Sequence, residues 1–332
     1  MNSLDVYGIC NPLIDLLSHV PEPFLGERGL EKDRMYLVEL EQQQSILIAL
    51  AAQNLPIEFA PGGSGANTMI GIAQLGGQTA FTGKVGQDEH GDTYRDGLEA
   101  QGVKSCLGTG LGTTGSSLIL VAPDAARTMN THLGMCQQLE VADIDLETLR
   151  SARYLYVTGY LWDTDTQKEA VRHALAKAQE FGVRVSLSLS DPFCVNRHRA
   201  DFIELLRESV DLVFCNQEEA FLLLDTEVSQ HAVKQLGEWV ETVVMTMGGR
   251  GALLWHQGET IYVDALSVSL KDTTGAGDAF AAGYLYGVTH DKTPLESGRI
   301  ASALAGAVIA HTGPRYQGNA QAKVRELAGP LL

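Results

Sequence analysis

The residues whose types and spacing point most directly to chemistry are 272–278, with the order Asp-Thr-Thr-Gly-Ala-Gly-Asp. The glycines let an anion approach the backbone, and the apolar spacing of residues 279–286 predicts a buried helix that begins just after them. The first N–H groups of a helix have no partner within it, and the helix dipole places partial positive charge at the same point. The segment therefore predicts a phosphate site formed by the backbone of Gly275, Ala276 and Gly277.

Asp278, at the expected helix start, suggests catalysis as well as binding. The helix-start charge is expected to keep this carboxylate ionised, so that it can accept a proton from a hydroxyl group. A base beside a cradle for phosphoryl charge fits phosphoryl transfer to an alcohol. The alternative is that Asp278 only caps the helix, as aspartate commonly does after a glycine turn.

The elements that must position these residues alternate between strands and helices. An apolar, strand-like run covers residues 253–268, ahead of the glycine-rich segment. Four further apolar strand candidates are separated by helical stretches: 153–157, 184–189, 212–215 and 242–247. This alternation predicts an α/β fold with a parallel sheet wrapped by helices.

Composition limits the class of protein. The 332 residues are 45% hydrophobic and 20% charged, which is ordinary for a globular chain, and we expect one large domain covering residues 1–332. The net charge of −17 argues against nucleic acid or an anionic membrane as the main partner. The five cysteines form no CxxC pair, and neither a signal peptide nor a membrane-length apolar run is apparent. We therefore expect a cytoplasmic protein.

A strand candidate at residues 4–10 runs into Asn11 and Pro12. Because proline cannot continue a central strand, Asn11 and Asp15 are expected near the strand's carboxyl end, where open α/β sheets bind ligands. Asp15 can accept hydrogen bonds from two hydroxyl groups of a sugar. It can equally cap a turn.

A second glycine-rich helix start lies at residues 62–67, Gly-Gly-Ser-Gly-Ala-Asn. It lacks the glycine spacing of a dinucleotide fingerprint, and the chain has no P-loop. A flat backbone at Gly62 and Gly63 would let a sugar ring lie against the chain, with Asn67 donating and accepting at its hydroxyls. The alternative is a helix start chosen only for tight packing.

Four elements in order resemble those of the PfkB, or ribokinase-like, family of carbohydrate and nucleoside kinases. They are the GGxxAN element at 62–67, the NxxE motif at 216–219, the TxGxxG turn at 246–251 and the DTxGAGD signature at 272–278. Together they span nearly the whole chain.

Within the family, the chain is most similar to the adenosine kinase branch. That similarity lies in the Asn-Pro-Leu-Ile-Asp start at 11–15, the Gly-aromatic pair ending the strand candidate at 153–160, and Ser-Leu-Ser-Asp-Pro-Phe at 188–193. Two departures concern the acceptor: the 62–67 segment is nearer the general sugar-kinase form, and Asp191 replaces an alanine. Tyr160 and Trp162 stand where the branch holds a purine between phenylalanines.

The resemblance implies an ATP-dependent kinase acting on the 5′-hydroxyl of adenosine or a similar nucleoside. Its alternatives are a kinase of ribose, fructose or a keto-sugar acid, and a catalytically silent nucleotide-binding protein. Asp278 would be the general base and the 275–277 amides the anion hole. The residues expected to hold the acceptor are Asn11, Asp15, Gly62, Gly63, Asn67 and Tyr160.

The resemblance also implies a donor site and ions. The residues expected to contact ATP are Asn216, Thr246, Gly248, Gly251, Thr274, Ala305 and His311, although His311 can also be a helix-end histidine without a ligand. Glu219 would orient water on Mg²⁺, and backbone carbonyls around Asp272 and Thr274 and around the 306–316 turn would form a K⁺ site. Asn216 and Glu219 are also common in ordinary helix caps.

A small β lid is implied over the acceptor, built from parts of 16–60 and 110–136. Two strand candidates in it, 114–121 and 127–133, are joined by a turn at 123–126. Closing a lid would exclude water that competes with the acceptor hydroxyl. Arg127 is the cation expected to reach the transferring phosphate; otherwise it is a surface arginine. We expect a monomer or homodimer.

Overall fold

Sixteen strands run through the part of the chain that the computed structural model describes, which is residues 3–32, 34–124, 126–329 and 331. Asp33, within the expected lid, and Ala125, in the expected turn, lie outside the described residues. The strands are β1 (Leu4–Ile9), β2 (Leu13–His19), β3 (Met35–Leu37), β4 (Glu58–Gly62), β5 (Thr79–Thr82), β6 (Lys84–Gly86), β7 (Val103–Ser105), β8 (Gly108–Gly110), β9 (Gly115–Val121), β10 (Arg127–His132), β11 (Ala152–Thr158), β12 (Arg184–Ser188), β13 (Leu212–Asn216), β14 (Thr242–Thr246), β15 (Ala252–His256) and β16 (Glu259–Val263).

Twelve α-helices connect these strands within the same described ranges. They are α1 (Pro23–Gly26), α2 (Leu40–Ala52), α3 (Ser64–Gln74), α4 (Glu89–Ala100), α5 (Leu146–Arg150), α6 (Asp165–Phe181), α7 (Pro192–Glu208), α8 (Gln217–Leu224), α9 (Ser229–Leu236), α10 (Ala276–Thr289), α11 (Pro294–Ile309) and α12 (Ala320–Ala328). Among the described residues, none forms a helix with both the length and the apolar character needed to cross a bilayer.

Nine strands form the large sheet, in the order β16-β15-β14-β13-β12-β11-β1-β5-β7. Its pairs are parallel from β14 to β7, and the hairpin of β15 and β16 adds two antiparallel strands at the other edge. Because β1 has β5 on one side and β11 on the other, the chain winds outward from β1 in both directions. The crevice at the carboxyl end of such a strand is where open α/β sheets bind ligands.

Helices cover both faces of the large sheet. Side chains alternate along β11, so that Tyr154 and Tyr156 pack into one core and Leu155 and Val157 into the other. The first core lies under α3, α10 and α11, and the second lies under α6, α7, α8 and α9. The predicted α/β class, with a helix-wrapped sheet, is confirmed.

A separate five-stranded sheet, in the order β3-β10-β9-β2-β4, lies beyond the carboxyl end of β1. The chain enters it directly, because only Cys10, Asn11 and Pro12 separate β1 from β2. This second sheet contains strands from both segments expected to form the lid. It also includes residues 13–15, which lie outside the bounds expected for the lid.

One strand prediction was wrong in extent. The apolar run at 253–268 is not a single strand but the hairpin of β15 and β16, followed by residues without regular structure. Gln257 and Gly258 both have positive φ, as a two-residue type I′ turn requires. The short helices α5 and α9 were not predicted, because their apolar patterns are brief.

Candidate active site

The phosphate-site segment forms a loop that ends at Gly275, the N-cap of α10, where φ is +74°. The Ala276 N–H donates to the Thr273 carbonyl at 3.2 Å, so this amide is already engaged. The N–H groups of Gly275 and Gly277, by contrast, have no hydrogen-bond partner among the described residues. Two of the three amides expected to bind an anion are therefore open to one.

Asp278 lies in the first turn of α10 and is held by α3. Ser64 Oγ donates to one carboxylate oxygen at 2.6 Å, and Asn67 Nδ2 donates to the other at 3.0 Å. Ser64 and Asn67 are three residues apart on a helix and therefore share a face. Asn67 Oδ1 is buried without a hydrogen-bond partner in the described parts of the chain, so it is available to a ligand hydroxyl.

The pKa of Asp278 corrects one expectation. The helix start was expected to keep this carboxylate ionised, but burial raises its pKa above the usual value. The hydrogen bonds from Ser64 and Asn67 and the charge of Arg315 act in the opposite direction. A raised pKa makes the carboxylate a stronger proton acceptor once it is ionised.

Asp15 lies on β2, opposite the glycines of the second glycine-rich segment. A Cβ on Gly62 would overlap the Asp15 carboxylate, so Asp15 can keep this position only beside a glycine. Burial raises the pKa of Asp15 to about 7, although Arg315 and Arg127 lower it. The carboxylate has no hydrogen-bond partner among the described residues and borders a cavity between the two sheets. It is therefore available to a ligand hydroxyl.

Asn11 supports the site from behind. Its Nδ2 donates to the Tyr160 carbonyl at 3.2 Å, and its Oδ1 accepts from Gln167 Nε2 at 2.8 Å. Tyr160 lines the cavity between the sheets, but Trp162 is completely buried and packs edge-on against Phe202. The proposal that Trp162 is a purine wall is therefore wrong, because the 3₁₀ turn at Gly159–Trp162 directs residues 160 and 162 in different directions.

The space between the two sheets, which we call the intersheet cavity, has a volume of about 400 Å³. Asp15, Asn67 and Asp278 bring polar groups to it. Its other walls are largely apolar and include Met35, Leu37, Ile119, Met129, Leu133 and Phe193. Phe193 is 53% exposed despite its size. We had not predicted it as a site residue, although it stands in the Ser-Leu-Ser-Asp-Pro-Phe run.

A second space, the central cavity, of about 310 Å³, shares Asp278 and Ser64 with the first. The open amide of Gly277 and the buried carboxylate of Glu219 border it. Asn216 donates to both Glu219 oxygens, at 2.6 and 3.0 Å, and burial raises the pKa of Glu219 to about 7. Each oxygen keeps a free lone pair, so Glu219 fits the role of orienting a metal-bound water.

A third space, the glycine-turn cavity, of about 320 Å³, continues from the central one. Thr246, Gly248, Gly251 and Ala305 line it, as expected for donor contacts. Thr274 instead lines the intersheet cavity. His311 is exposed beyond the end of α11, with its ring edge-on to Tyr316, and so lies apart from the donor residues.

Asp272 joins three parts of the molecule. Its Oδ2 accepts from Arg127 at 2.5 Å and from the Gly313 N–H at 2.7 Å, and its Oδ1 accepts from the Thr274 N–H at 3.0 Å. Arg127 also donates to Thr274 Oγ1 at 2.8 Å. Because a guanidinium cation and two N–H groups already occupy this carboxylate, the expected K⁺ site would have to be formed by the backbone carbonyls of this segment. Arg127 ties the second sheet to the loop before α10.

Three residues that line these cavities were missed from the sequence: Ser64, Asp163 and Phe193. Arg315, whose charge acts on Asp15 and Asp278, was missed as well. Ser64 had a usable signal, since it stands three residues before Asn67 at a helix start. Arg315 had none, because it follows a glycine-proline pair that only indicated the end of α11. Its guanidinium donates to the Pro61 carbonyl, next to the glycines that border Asp15.

Comparison with known proteins agrees with this geometry. A family model described as pfkB family carbohydrate kinase matches residues 41–321. The chain is 26% identical over 281 residues to a ribokinase from Haemophilus influenzae, covering 80% of this chain and 85% of that protein.

Two solved structures are similar over almost the whole chain. An adenosine kinase from Sinorhizobium meliloti is 34% identical, with a TM-score of 0.89 over 97% of this chain and 99% of that one. A probable sugar kinase from Rhizobium etli CFN 42 is also 34% identical, with a TM-score of 0.90 over 98% of this chain and 99% of that one. Nucleoside and sugar kinases are thus both similar to this chain.

Proposed function

The chain belongs to the PfkB family of carbohydrate kinases, and from that membership we propose that it transfers the γ-phosphoryl group of ATP to the 5′-hydroxyl of adenosine or a similar nucleoside. The family implies a phosphotransferase with an alcohol acceptor. The choice of a nucleoside rests on the intersheet cavity.

The observation that carries this proposal is the apolar wall of that cavity. A free sugar presents hydroxyl groups and would leave Met129, Leu133 and the half-exposed ring of Phe193 against water. A nucleoside would place its ribose at Asp15 and Asn67 and cover the apolar wall with its base. Aromatic bases stack favourably on a phenylalanine ring, and the volume of about 400 Å³ suits a ligand larger than a single sugar ring.

The transfer follows from the polar groups. Asp15 and Asn67 Oδ1 accept hydrogen bonds from ribose hydroxyls, which leaves the 5′-hydroxyl facing Asp278. Asp278 accepts the hydroxyl proton while the oxygen forms a bond to the γ-phosphorus, and the bond from that phosphorus to the β-phosphate oxygen breaks. The Gly275 and Gly277 N–H groups donate to the developing negative charge.

The donor would occupy the two remaining cavities. Its base would lie in the glycine-turn cavity, beside Gly248 and Ala305, and its phosphates in the central cavity. Glu219 would orient the water of a bound Mg²⁺, whose charge offsets that of the phosphates. We propose that the second sheet acts as a lid, because the acceptor would be enclosed between it and the large sheet.

A free sugar is the second candidate, and a specific observation favours it. The carboxylate of Asp191 borders the same cavity, and a carboxylate suits the several hydroxyls of a sugar better than a purine ring. Asp163 borders it as well, but its carboxylate is already bonded to Arg197 and His198. Asp191 caps α7 by accepting from the Cys194 N–H at 2.7 Å, which leaves its other oxygen for a ligand.

The test is ADP release with Mg²⁺-ATP across adenosine, inosine, guanosine, ribose, fructose and 2-keto-3-deoxygluconate. We expect the highest kcat/KM with a nucleoside. Replacing Phe193 by alanine should raise the KM for that nucleoside about tenfold, since stacking contributes roughly 1 kcal/mol or more, and should leave any ribose activity unchanged.

The matched control is Phe59→Ala, which removes a phenylalanine ring that is 61% exposed and lies on β4 outside the cavity. It should leave all KM values unchanged. Preference for a free sugar would overturn the nucleoside assignment but keep the kinase. ATP binding without ADP release on any acceptor would indicate a silent nucleotide-binding protein.

A further inference from the structure

Arg315 connects two walls of the site that come from distant parts of the chain. The residue before it, Pro314, packs its backbone against Gly275, at the start of α10. The Arg315 guanidinium donates to the Pro61 carbonyl on β4. The next carbonyl along β4, that of Gly62, accepts from the Tyr94 hydroxyl at 2.9 Å. Consecutive carbonyls beside the acceptor wall are therefore held by side chains from different elements.

Arg315 also supplies positive charge where two carboxylates lie close together. Its charge acts on both Asp15 and Asp278, and each carboxylate acts on it in return. Asp15 and Asp278 are both buried, border the intersheet cavity and repel each other. Arg127, the other nearby cation, is already bonded to Asp272 and Thr274.

We propose that Arg315 is a positioning residue for phosphoryl transfer, which fixes β4 against the loop before α10 and balances the charges of Asp15 and Asp278. The inference rests on the proposed phosphoryl transfer but not on whether the acceptor is a nucleoside or a sugar. Nothing in the family motifs of the chain includes this residue.

The consequence concerns the ionisation of Asp278. The titratable groups that face it are Cys10 after β1, Asp15 on β2, Tyr156 on β11, Tyr160 in the turn after β11, and Arg315. Arg315 is the cation in this set. Burial already raises the pKa of Asp278, and removing Arg315 would raise it further. A larger fraction of the base would then be protonated at neutral pH.

The experiment measures kcat/KM against pH for the wild type, Arg315→Gln and Arg315→Lys, with whichever acceptor the wild type uses best. The acidic limb of the pH profile is the range in which kcat/KM falls because Asp278 becomes protonated. In Arg315→Gln we expect this limb to move to higher pH by about one unit, which lowers kcat/KM about tenfold on that limb. Arg315→Lys keeps the charge and should restore the position of the limb.

The matched control is Arg199→Gln, since Arg199 also donates from a part-buried side chain to a backbone carbonyl, that of Leu223, but lies outside the cavities. It should lower thermal stability without moving the limb. If Arg315→Gln fails to fold, the double variant Asp15→Asn/Arg315→Gln removes one buried charge of each sign. Its limb should lie near that of the wild type, because the two deleted charges act on Asp278 in opposite directions.

A limb that stays in place in Arg315→Gln while stability falls would overturn the proposal and leave Arg315 a purely structural residue. A double variant whose limb departs from that of the wild type by a full unit would also overturn the charge balance. Failure of the proposed function is distinguishable, because it appears in the wild type as an absence of ADP release with every acceptor.

Discussion

At the scale of single residues, the candidate base illustrates how the neighbours of a carboxylate determine its hydrogen bonds and its pKa. Asp278 begins a helix, yet its hydrogen bonds come from Ser64 and Asn67 on another helix, and its pKa is raised by burial. A helix-capping aspartate, such as Asp88, does accept from its own helix, at the Gly91 N–H, in addition to the two bonds that it accepts from Thr114. This difference in partners separates a candidate base from a cap.

Replacing Asp278 by asparagine should lower turnover by about 10²-fold or more, because the shape is preserved while the proton acceptor is lost. ATP affinity, measured by calorimetry, should stay close to that of the wild type. The control, Asp88→Asn, weakens the start of α4 and should leave turnover unchanged. Turnover near the wild-type value in Asp278→Asn would remove this residue from the mechanism.

At the scale of elements, the start of α10 requires a glycine for two separate reasons, its backbone conformation and its close contacts. Gly275 has a left-handed φ of +74°, and a Cβ there would lie 2.7 Å from the Pro314 Cα. Because Pro314 precedes Arg315 and Gly313 is bonded to Asp272, the segment after α11 forms one wall of the phosphate loop. The loop is therefore shaped by a segment nearly 40 residues further along the chain.

Gly182 allows the two requirements to be separated. It caps α6 with φ of +70°, and no atom of the described residues lies within 4 Å of its missing Cβ. Gly182→Ala should lower the free energy of unfolding by about 1 kcal/mol through backbone strain alone. Gly275→Ala should cost about 2–4 kcal/mol, since overpacking is added, and should also lower kcat. If urea unfolding shows equal losses of unfolding free energy in the two variants, Pro314 moves aside with no loss of stability.

At the scale of the whole molecule, electrostatics makes the folded protein more stable below neutral pH than above it. The chain carries a net charge of −17, and its site adds carboxylates whose pKa is raised by burial: Asp15 and Glu219 to about 7, and Asp278 in the same direction. Between the unfolded pKa near 4 and these raised values, the folded protein binds more protons than the unfolded chain. Its stability therefore rises as the pH falls through this window.

The ligand-free protein should accordingly have a higher Tm at pH 5.5 than at pH 8, measured by differential scanning calorimetry. The carboxylates of Asp88, Asp145 and Asp272 have a lowered pKa, so their opposite contribution is lost only at more acidic pH. In the double variant Asp15→Asn/Glu219→Gln, the Tm should depend less on pH. A Tm that falls between pH 8 and 5.5, or an unchanged slope in the double variant, would contradict this account.

What the sequence by itself determined is local. Glycine-rich helix starts, the alternation of strands and helices and the four ordered motifs all depend on residues a few positions apart, because backbone conformation and helix-end charge are set by neighbours in the chain. The α/β class, the family and the glycine-rich loop before α10 were therefore predictable. The hairpin of β15 and β16 was missed because its two-residue turn lies within a run that is otherwise apolar.

What only the tertiary structure decided is which distant side chains meet and which of them are buried. Ser64 and Asp278 are 214 positions apart, and Arg315 and Pro61 are 254 positions apart. Tyr160 and Trp162 look equivalent in the sequence, yet one lines a cavity and the other lies in the core. These outcomes depend on packing between elements, which also sets the desolvation that raises the pKa of Asp15 and Asp278, so local pattern cannot determine them.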